Sequence, residues 1–171
     1  NGIGGDLFAI VWDSKTQKLH GLNASGPAPR NITIDYFVKQ GLKKIPPYGP
    51  LPVTVPGAVD GWVKLHEKFG KMDFKLLFEP TIEYAKSGFP VTETIAYYLD
   101  QSQKRFENYP NFNDVWAKNG RMPQKGEIFK NPQLAKTLEI IASKGRAGFY
   151  EGPIARTMAD FIQSQGGFLT Y

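Results

Sequence analysis

The longest apolar run in the sequence, Leu7-Phe8-Ala9-Ile10-Val11-Trp12, stands close to its start. Rich in aromatic and β-branched residues, it is short enough for a β-strand buried on both faces. Asp13 to Lys18 is polar and reads as a turn, after which Leu19-His20-Gly21-Leu22-Asn23-Ala24 alternates apolar with small or polar residues. That period of two predicts a returning strand, and so a β-hairpin over residues 7–24. Ser25-Gly26-Pro27-Ala28-Pro29 ends it, because proline has no N–H to give to a sheet ladder. Ahead of the first strand, the glycines of Gly2-Ile3-Gly4-Gly5 tolerate backbone angles and close approaches that other residues do not. They fit a tight lead-in turn, or a core strand that starts beside a binding site.

After the hairpin the period becomes helical. Ile34, Phe37 and Val38 share a face over residues 32–41, with Thr33 as cap and Gly41 as stop. Five prolines between Lys43 and Pro56 leave only extended loop. A helix then opens at Pro56-Gly57-Ala58-Val59, with Val59, Trp62, Val63, His66 and Phe69 on one stripe. His66 is there either a hydrogen-bonded, half-buried residue or a catalytic one. Asp73 is expected to cap the next helix, with Leu76 and Leu77 inward and Pro80 breaking or restarting it before Gly88. Thr92 caps a longer helix that carries Ile95, Tyr98, Leu99 and Phe106 and ends before Pro110. Asn111 to Gly126 is polar and broken, anchored by Val115 and Trp116, and belongs on the surface. Asn131-Pro132 sets a cap and a first-turn proline ahead of Leu134, Leu138 and Ile141, on a helix that runs to Gly145. Pro153 opens the last helix, with Ile154, Met158, Phe161 and Ile162 inward and Gly166-Gly167 as its end. The pattern is α+β, mostly helical after an N-terminal β-hairpin.

Composition narrows the function classes. A chain of 171 residues fits one domain or a piece of one, and 41% hydrophobic with 22% charged residues argues against disorder. The net charge of +5 is spread along the chain, its densest clusters being pairs such as Lys43-Lys44 and Lys104-Arg105. That is a solvated helical surface rather than a nucleic-acid footprint. Without cysteine there is neither disulfide nor thiolate site. His20 and His66 lie far apart and in no ligand pattern, so no metal and no cofactor is expected. No apolar run is long enough to span a membrane. The chain opens on Asn1 and closes on Leu169-Thr170-Tyr171 without a helix cap, which points to a segment of a longer protein.

Local motifs name no reaction. In Gly2-Ile3-Gly4-Gly5 the third glycine of a dinucleotide fingerprint would fall on Leu7, and the run precedes its strand instead of following it. Ser25, in Asn23-Ala24-Ser25-Gly26-Pro27, lacks the flanking glycines of a hydrolase elbow. Neither histidine has an acid or nucleophile at suggestive spacing.

The order of eight landmarks says more. Gly2-Ile3-Gly4-Gly5-Asp6-Leu7-Phe8, Ala28-Pro29, Val55-Pro56-Gly57-Ala58-Val59-Asp60-Gly61, Phe78-Glu79-Pro80, Gly88-Phe89-Pro90-Val91, Leu134-Ala135-Lys136-Thr137-Leu138, Phe149-Tyr150-Glu151-Gly152 and Gly167-Phe168-Leu169-Thr170 follow one another along almost the whole chain. In wording and order this series resembles the gamma-glutamyltranspeptidase family. The resemblance implies a layered α-β-β-α N-terminal-nucleophile hydrolase, whose precursor cleaves itself to expose a threonine that is both nucleophile and, through its amine, its own base. The chain would match the front of the large subunit, a single segment over residues 1–171. Its partners would be the rest of that subunit, the small subunit carrying the nucleophile, and a small amide or peptide substrate.

Two consequences follow from the resemblance. Asn1 carries no hydroxyl or thiol, so no catalytic residue is expected in this segment. The family's pattern after the second strand, an arginine then a glutamate before Ala-Pro, places the arginine that grips the α-carboxylate of a γ-glutamyl group on Ser25 and the glutamate on Gly26. An arginine fork binds a carboxylate bidentately, and serine offers one neutral hydrogen bond. Asp6 also replaces part of the family's longer glycine run with a carboxylate. Ser25 and Gly26, with Asn23 beside them, are therefore the candidate substrate-binding residues of an amidohydrolase acting on another amide. True γ-glutamyl transfer with Arg30, the nearest cation in sequence, as a replacement anchor is one alternative. A non-catalytic helical binding module is another.

Overall fold

The computed structural model describes residues 2–117 and 120–171. Packing divides the chain into two compact units, Asn1–Phe74 with Ser143–Tyr171, and Lys75–Ala142.

The first unit contains the hairpin. Strands β1 (Leu7–Asp13) and β2 (Lys18–Ala24) pair antiparallel, with Leu7 opposite Ala24 and Asp13 opposite Lys18. The Asp13 carboxylate closes the turn by accepting from the Lys15 amide at 3.0 Å and the Thr16 hydroxyl at 2.7 Å. Helix α1 (Ile34–Lys39) is capped by Thr33, whose side chain accepts from the Tyr36 amide. Gly41 follows with a positive φ of 69°, which stops the helix. The proline-rich loop then leads to α2 (Ala58–Phe69), which packs on both strands. Close packing requires Gly61, where a Cβ would lie 2.7 Å from Leu7 Cδ2 and 2.8 Å from the Ala24 Cβ.

β1 was expected to be buried on both faces, and the structure corrects this. Pleating sends Leu7, Ala9 and Val11 toward one face, half-buried, and leaves Phe8 65%, Ile10 77% and Trp12 56% exposed on the other. Leu19, paired with Trp12 across the hairpin, is 65% exposed and extends this apolar outer face. An apolar run signals burial, but it does not identify the element that supplies it.

The second unit opens with a 3₁₀ turn (Leu76–Phe78) that feeds α3 (Glu79–Ser87). The N-cap position of the 3₁₀ turn is Lys75 and that of α3 is Phe78, rather than Asp73 as expected, and Leu76 and Leu77 remain nearly half exposed while Phe78 is buried. The reason is Pro80, which sits in the first turn of α3, where its missing N–H costs nothing. Gly88, at φ 93°, ends the helix and leads into β3 (Phe89–Pro90). That strand pairs with β4 (Ile128–Phe129) in a two-residue ladder too short to show as a sequence pattern. Between them, α4 (Glu93–Phe106) is capped by Thr92 through the Ile95 amide, and none of its residues is buried. A short α5 (Phe112–Trp116) forms within the polar stretch 111–126, of which Lys118 and Asn119 lie outside the described residues. Trp116 anchors it by stacking on Phe129, with ring centroids 5.2 Å apart.

Asn131 caps α6 (Pro132–Tyr150), accepting from the Leu134 amide at 2.9 Å. The helical run breaks at Gly145 (φ 57°, ψ −139°), where its end was expected, and resumes for one more turn. α7 (Pro153–Ser164) begins at its proline and ends before Gly166. Val59, Phe149 and Ala159 are fully buried in the first unit, as are Met122, Ala135 and Ile141 in the second.

Candidate functional site

Three backbone segments meet at the open end of the hairpin. One step beyond the Leu7–Ala24 pair, the antiparallel register brings Asp6 across from Ser25. Asp6 Oδ2 accepts from the Ser25 hydroxyl and Oδ1 from the Gly26 amide, each at 3.3 Å. Asn23 Oδ1 accepts from the Ser25 amide at 2.9 Å, turning the chain out of β2. The third segment is Val55–Ala58. Val55 donates its amide to the Pro27 carbonyl at 3.0 Å, and the Gly57 and Ala58 amides both donate to the Gly5 carbonyl, at 3.0 and 2.9 Å.

This meeting place demands glycine. A Cβ on Gly26 would lie 1.5 Å from the Val55 carbonyl oxygen, and one on Gly57 would lie 2.0 Å from that of Ala24. Both contacts are to backbone, so no rotamer relieves them.

Asn23, Ser25 and Gly26 are thus brought together, and Asp6 joins them. Arg30 is not brought to the cluster: it is exposed beyond the buried Pro29 and bonds to none of these residues. The cluster contains no nucleophile system, because the Ser25 hydroxyl faces a carboxylate and not an imidazole or amine base. What it offers is hydrogen-bonding oxygen and negative charge. Asp6 was visible in the sequence only as a departure from a glycine run, and the strand register is the signal that identifies its partners.

A second polar cluster stands behind the first. The Tyr150 hydroxyl donates to the Pro56 carbonyl at 2.6 Å and accepts from the Asp60 amide at 3.1 Å. Burial raises its pKa. The Asp60 carboxylate pairs with Lys64 at 2.9 Å and Arg146 at 2.7 Å, and Arg146 lies over the Tyr150 ring. Its carboxyl is held below the usual aspartate range, by Lys64 first and then Arg146, against the opposing effect of burial. Sequence reasoning placed Asp60 and Tyr150 in separate landmarks and did not connect them.

The histidines take structural parts. His66 Nε2 lies 2.7 Å from the Met72 carbonyl, with its ring edge-on to Phe74. His20 contacts Lys68 Nζ at 3.1 Å and the Phe69 ring. Among the described residues, no group of three His, Cys, Asp or Glu side chains is placed to hold a metal ion, and no helix is long and apolar enough to cross a membrane.

With this geometry in place, comparison with known proteins is direct. The glutathione hydrolase-like YwrD proenzyme of Bacillus subtilis strain 168 is 32% identical over 170 residues, which are 99% of this chain and 32% of that protein. Among solved structures, the cephalosporin acylase of Bacillus halodurans superposes with a TM-score of 0.93 at 39% identity, over 99% of this chain and 33% of that one. The gamma-glutamyltranspeptidase of Helicobacter pylori gives 0.91 at 30% identity, over 98% of this chain and 49% of that one. The chain therefore spans about a third of the length of the curated relative. The superpositions place its hairpin and helices in the mixed α/β architecture of those enzymes. Since the family model for gamma-glutamyltranspeptidase matches residues 1–171, the chain belongs to the gamma-glutamyltranspeptidase family.

Proposed function

We propose that the chain is the front of the large subunit of an amidohydrolase that transfers an acyl group from an amide to a threonine outside this chain, and then to water or an amine. Oxyanion donors and nucleophile would come from the remaining polypeptide, whose precursor would cleave itself. The names of relatives as a proenzyme and an acylase support this reading. So does the apolar outer face of the hairpin, at Phe8, Ile10, Trp12 and Leu19, which suits a further protein layer.

The observation that carries the specificity is Asp6. Where the family pattern puts an arginine, Ser25 stands bonded to a carboxylate. The position that would attract the α-carboxylate of a γ-glutamyl group here repels it. Two unit negative charges about 4 Å apart cost about 1 kcal/mol in water and about 4 kcal/mol near a protein surface. The missing charged hydrogen bonds remove a further 1.5 to 3 kcal/mol, approximately. The substrate would be an amide whose acyl group lacks an α-carboxylate, in keeping with a 39% identical structure named for cephalosporin acylase.

The test compares two para-nitroanilides that differ only in that carboxylate, γ-glutamyl and γ-aminobutyryl, on full-length processed enzyme. Wild type should favour the γ-aminobutyryl substrate in kcat/KM. Asp6→Asn should reduce that preference at least about fivefold, the equivalent of about 1 kcal/mol. Equal use of both substrates, unchanged by Asp6→Asn, would overturn the reading.

A further inference from the structure

We propose that Tyr150 is a positioning residue for the acyl pocket, setting Asp6 through the Pro56–Asp60 turn; the inference rests on reading Asp6, Ser25 and Gly26 as that pocket. Gly57, at the start of α2, has no side chain to cap the helix. The Asp60 amide is one of the first-turn donors that an α-helix leaves without an internal partner. It is satisfied by the Tyr150 hydroxyl at 3.1 Å, which in turn donates to the Pro56 carbonyl at 2.6 Å. One phenol, 90 residues away in sequence, thus fixes both ends of the turn.

The middle of the turn bears on the pocket. Gly57 and Ala58, between the two fixed points, give both their amides to the Gly5 carbonyl. Gly5 precedes Asp6, whose carboxylate holds Ser25 and Gly26 through bonds of 3.3 Å, already near the long limit for a hydrogen bond. The turn cannot yield toward β2, because the Gly57 Cα already meets the Ala24 carbonyl too closely to allow a Cβ. A displacement at Pro56 or Asp60 therefore passes to Gly5 and to the Asp6 carboxylate. Arg146 orients the phenol, with its guanidinium 5.0 Å from the ring centroid and Nε bonded to Asp60. Burial keeps the hydroxyl protonated across the neutral range, so it remains a donor to Pro56.

A merely structural clamp would change stability and leave discrimination between acyl groups untouched. The experiment is a double-mutant cycle on full-length processed enzyme with the γ-glutamyl and γ-aminobutyryl para-nitroanilides. Tyr150→Phe should lower the preference for the γ-aminobutyryl substrate roughly three- to tenfold, through KM more than kcat. In the Asp6→Asn background the same change should leave the preference unmoved, because the carboxylate it positions is gone. Arg146→Gln, at an exposed position, should act in the same direction with a smaller shift, and it carries the test if Tyr150→Phe fails to fold. An unchanged preference, or an equal shift with and without Asp6, would overturn the inference and leave the pocket reading standing. A null result for Asp6→Asn alone would overturn both.

Discussion

Replacing Gly26 with alanine tests the geometry on which the pocket depends. The added Cβ would sit 1.5 Å from the Val55 carbonyl oxygen and 2.6 Å from its carbon, against the 3.4 Å at which ordinary contact begins. Both partners are backbone, so segments 24–27 and 53–57 must part. Parting them strains or breaks the Val55-to-Pro27 bond of 3.0 Å and the Asp6 bond to the Gly26 amide. Overpacking costs about 1 to 3 kcal/mol, and each lost hydrogen bond about 0.5 to 1.5. Against this, alanine restricts the unfolded chain by about 0.4 to 1 kcal/mol. The net loss should be about 1 to 5.5 kcal/mol. Urea midpoints of the full-length enzyme, compared at constant slope, provide the measurement. A Gly26→Ala midpoint equal to wild type would refute the reasoning. A glutamate at position 26 would carry the same Cβ, so restoring the family's glutamate here should damage the fold rather than recover γ-glutamyl activity.

Two further expectations concern the second unit. Asn131→Ala removes the side-chain acceptor of the Leu134 amide, 2.9 Å away, and should cost about 1 kcal/mol by urea unfolding, more than Thr92→Ala, whose capping contact is 3.4 Å. Glu127 is held down to about 2, by Arg121 first and the Gln124 amide next, against an ordinary 4.5. A folded pKa below the unfolded one gives stability that is complete above the unfolded value and is lost as pH falls from about 4.5 toward about 2. Glu127→Gln should flatten the pH dependence of unfolding in that window, and an unchanged acid limb would contradict the assignment.

The elements readable in the sequence were those whose signals are local. Thr33, Thr92 and Asn131 each cap the helix expected of them, because a side-chain oxygen three residues ahead of an amide needs no tertiary help. Gly145 marks a break for the same reason, since its φ of 57° is a property of one residue. What failed to show was non-local. The β3–β4 ladder has two pairs and joins residues far apart in sequence. Asp73 looked like a cap because its residue type is right, yet Pro80 in the first turn decided where α3 begins. At the site, Ser25 and Gly26, with Asn23 beside them, came from the family resemblance, and the structure brings the three together. Asp6 stands out in the sequence only as a carboxylate in a glycine run, and its partners follow from the register that sets Leu7 opposite Ala24.

The landmarks that carried the family resemblance owe their wording to one another. The glycine run before β1 supplies the Gly5 carbonyl, the Val-Pro-Gly-Ala-Val-Asp-Gly stretch supplies the two amides that bind it, and Phe-Tyr-Glu-Gly supplies the phenol that holds that stretch. Gly26 and Gly57 are small because backbone passes within contact distance, and Gly61 because α2 lies against Leu7 and Ala24. None of these constraints touches the charge at the mouth of the site. Asp6 and Ser25 lie at the end of the hairpin with side chains bonded to each other, and neither is among the buried core residues. Position 26 aside, where the pattern's glutamate would meet the Val55 carbonyl, the scaffold can remain that of the family while Asp6 and Ser25 offer a different charge from the pattern's arginine. On the proposed reading, such a difference at Asp6 and Ser25 is how this chain departs from γ-glutamyl recognition without departing from the fold.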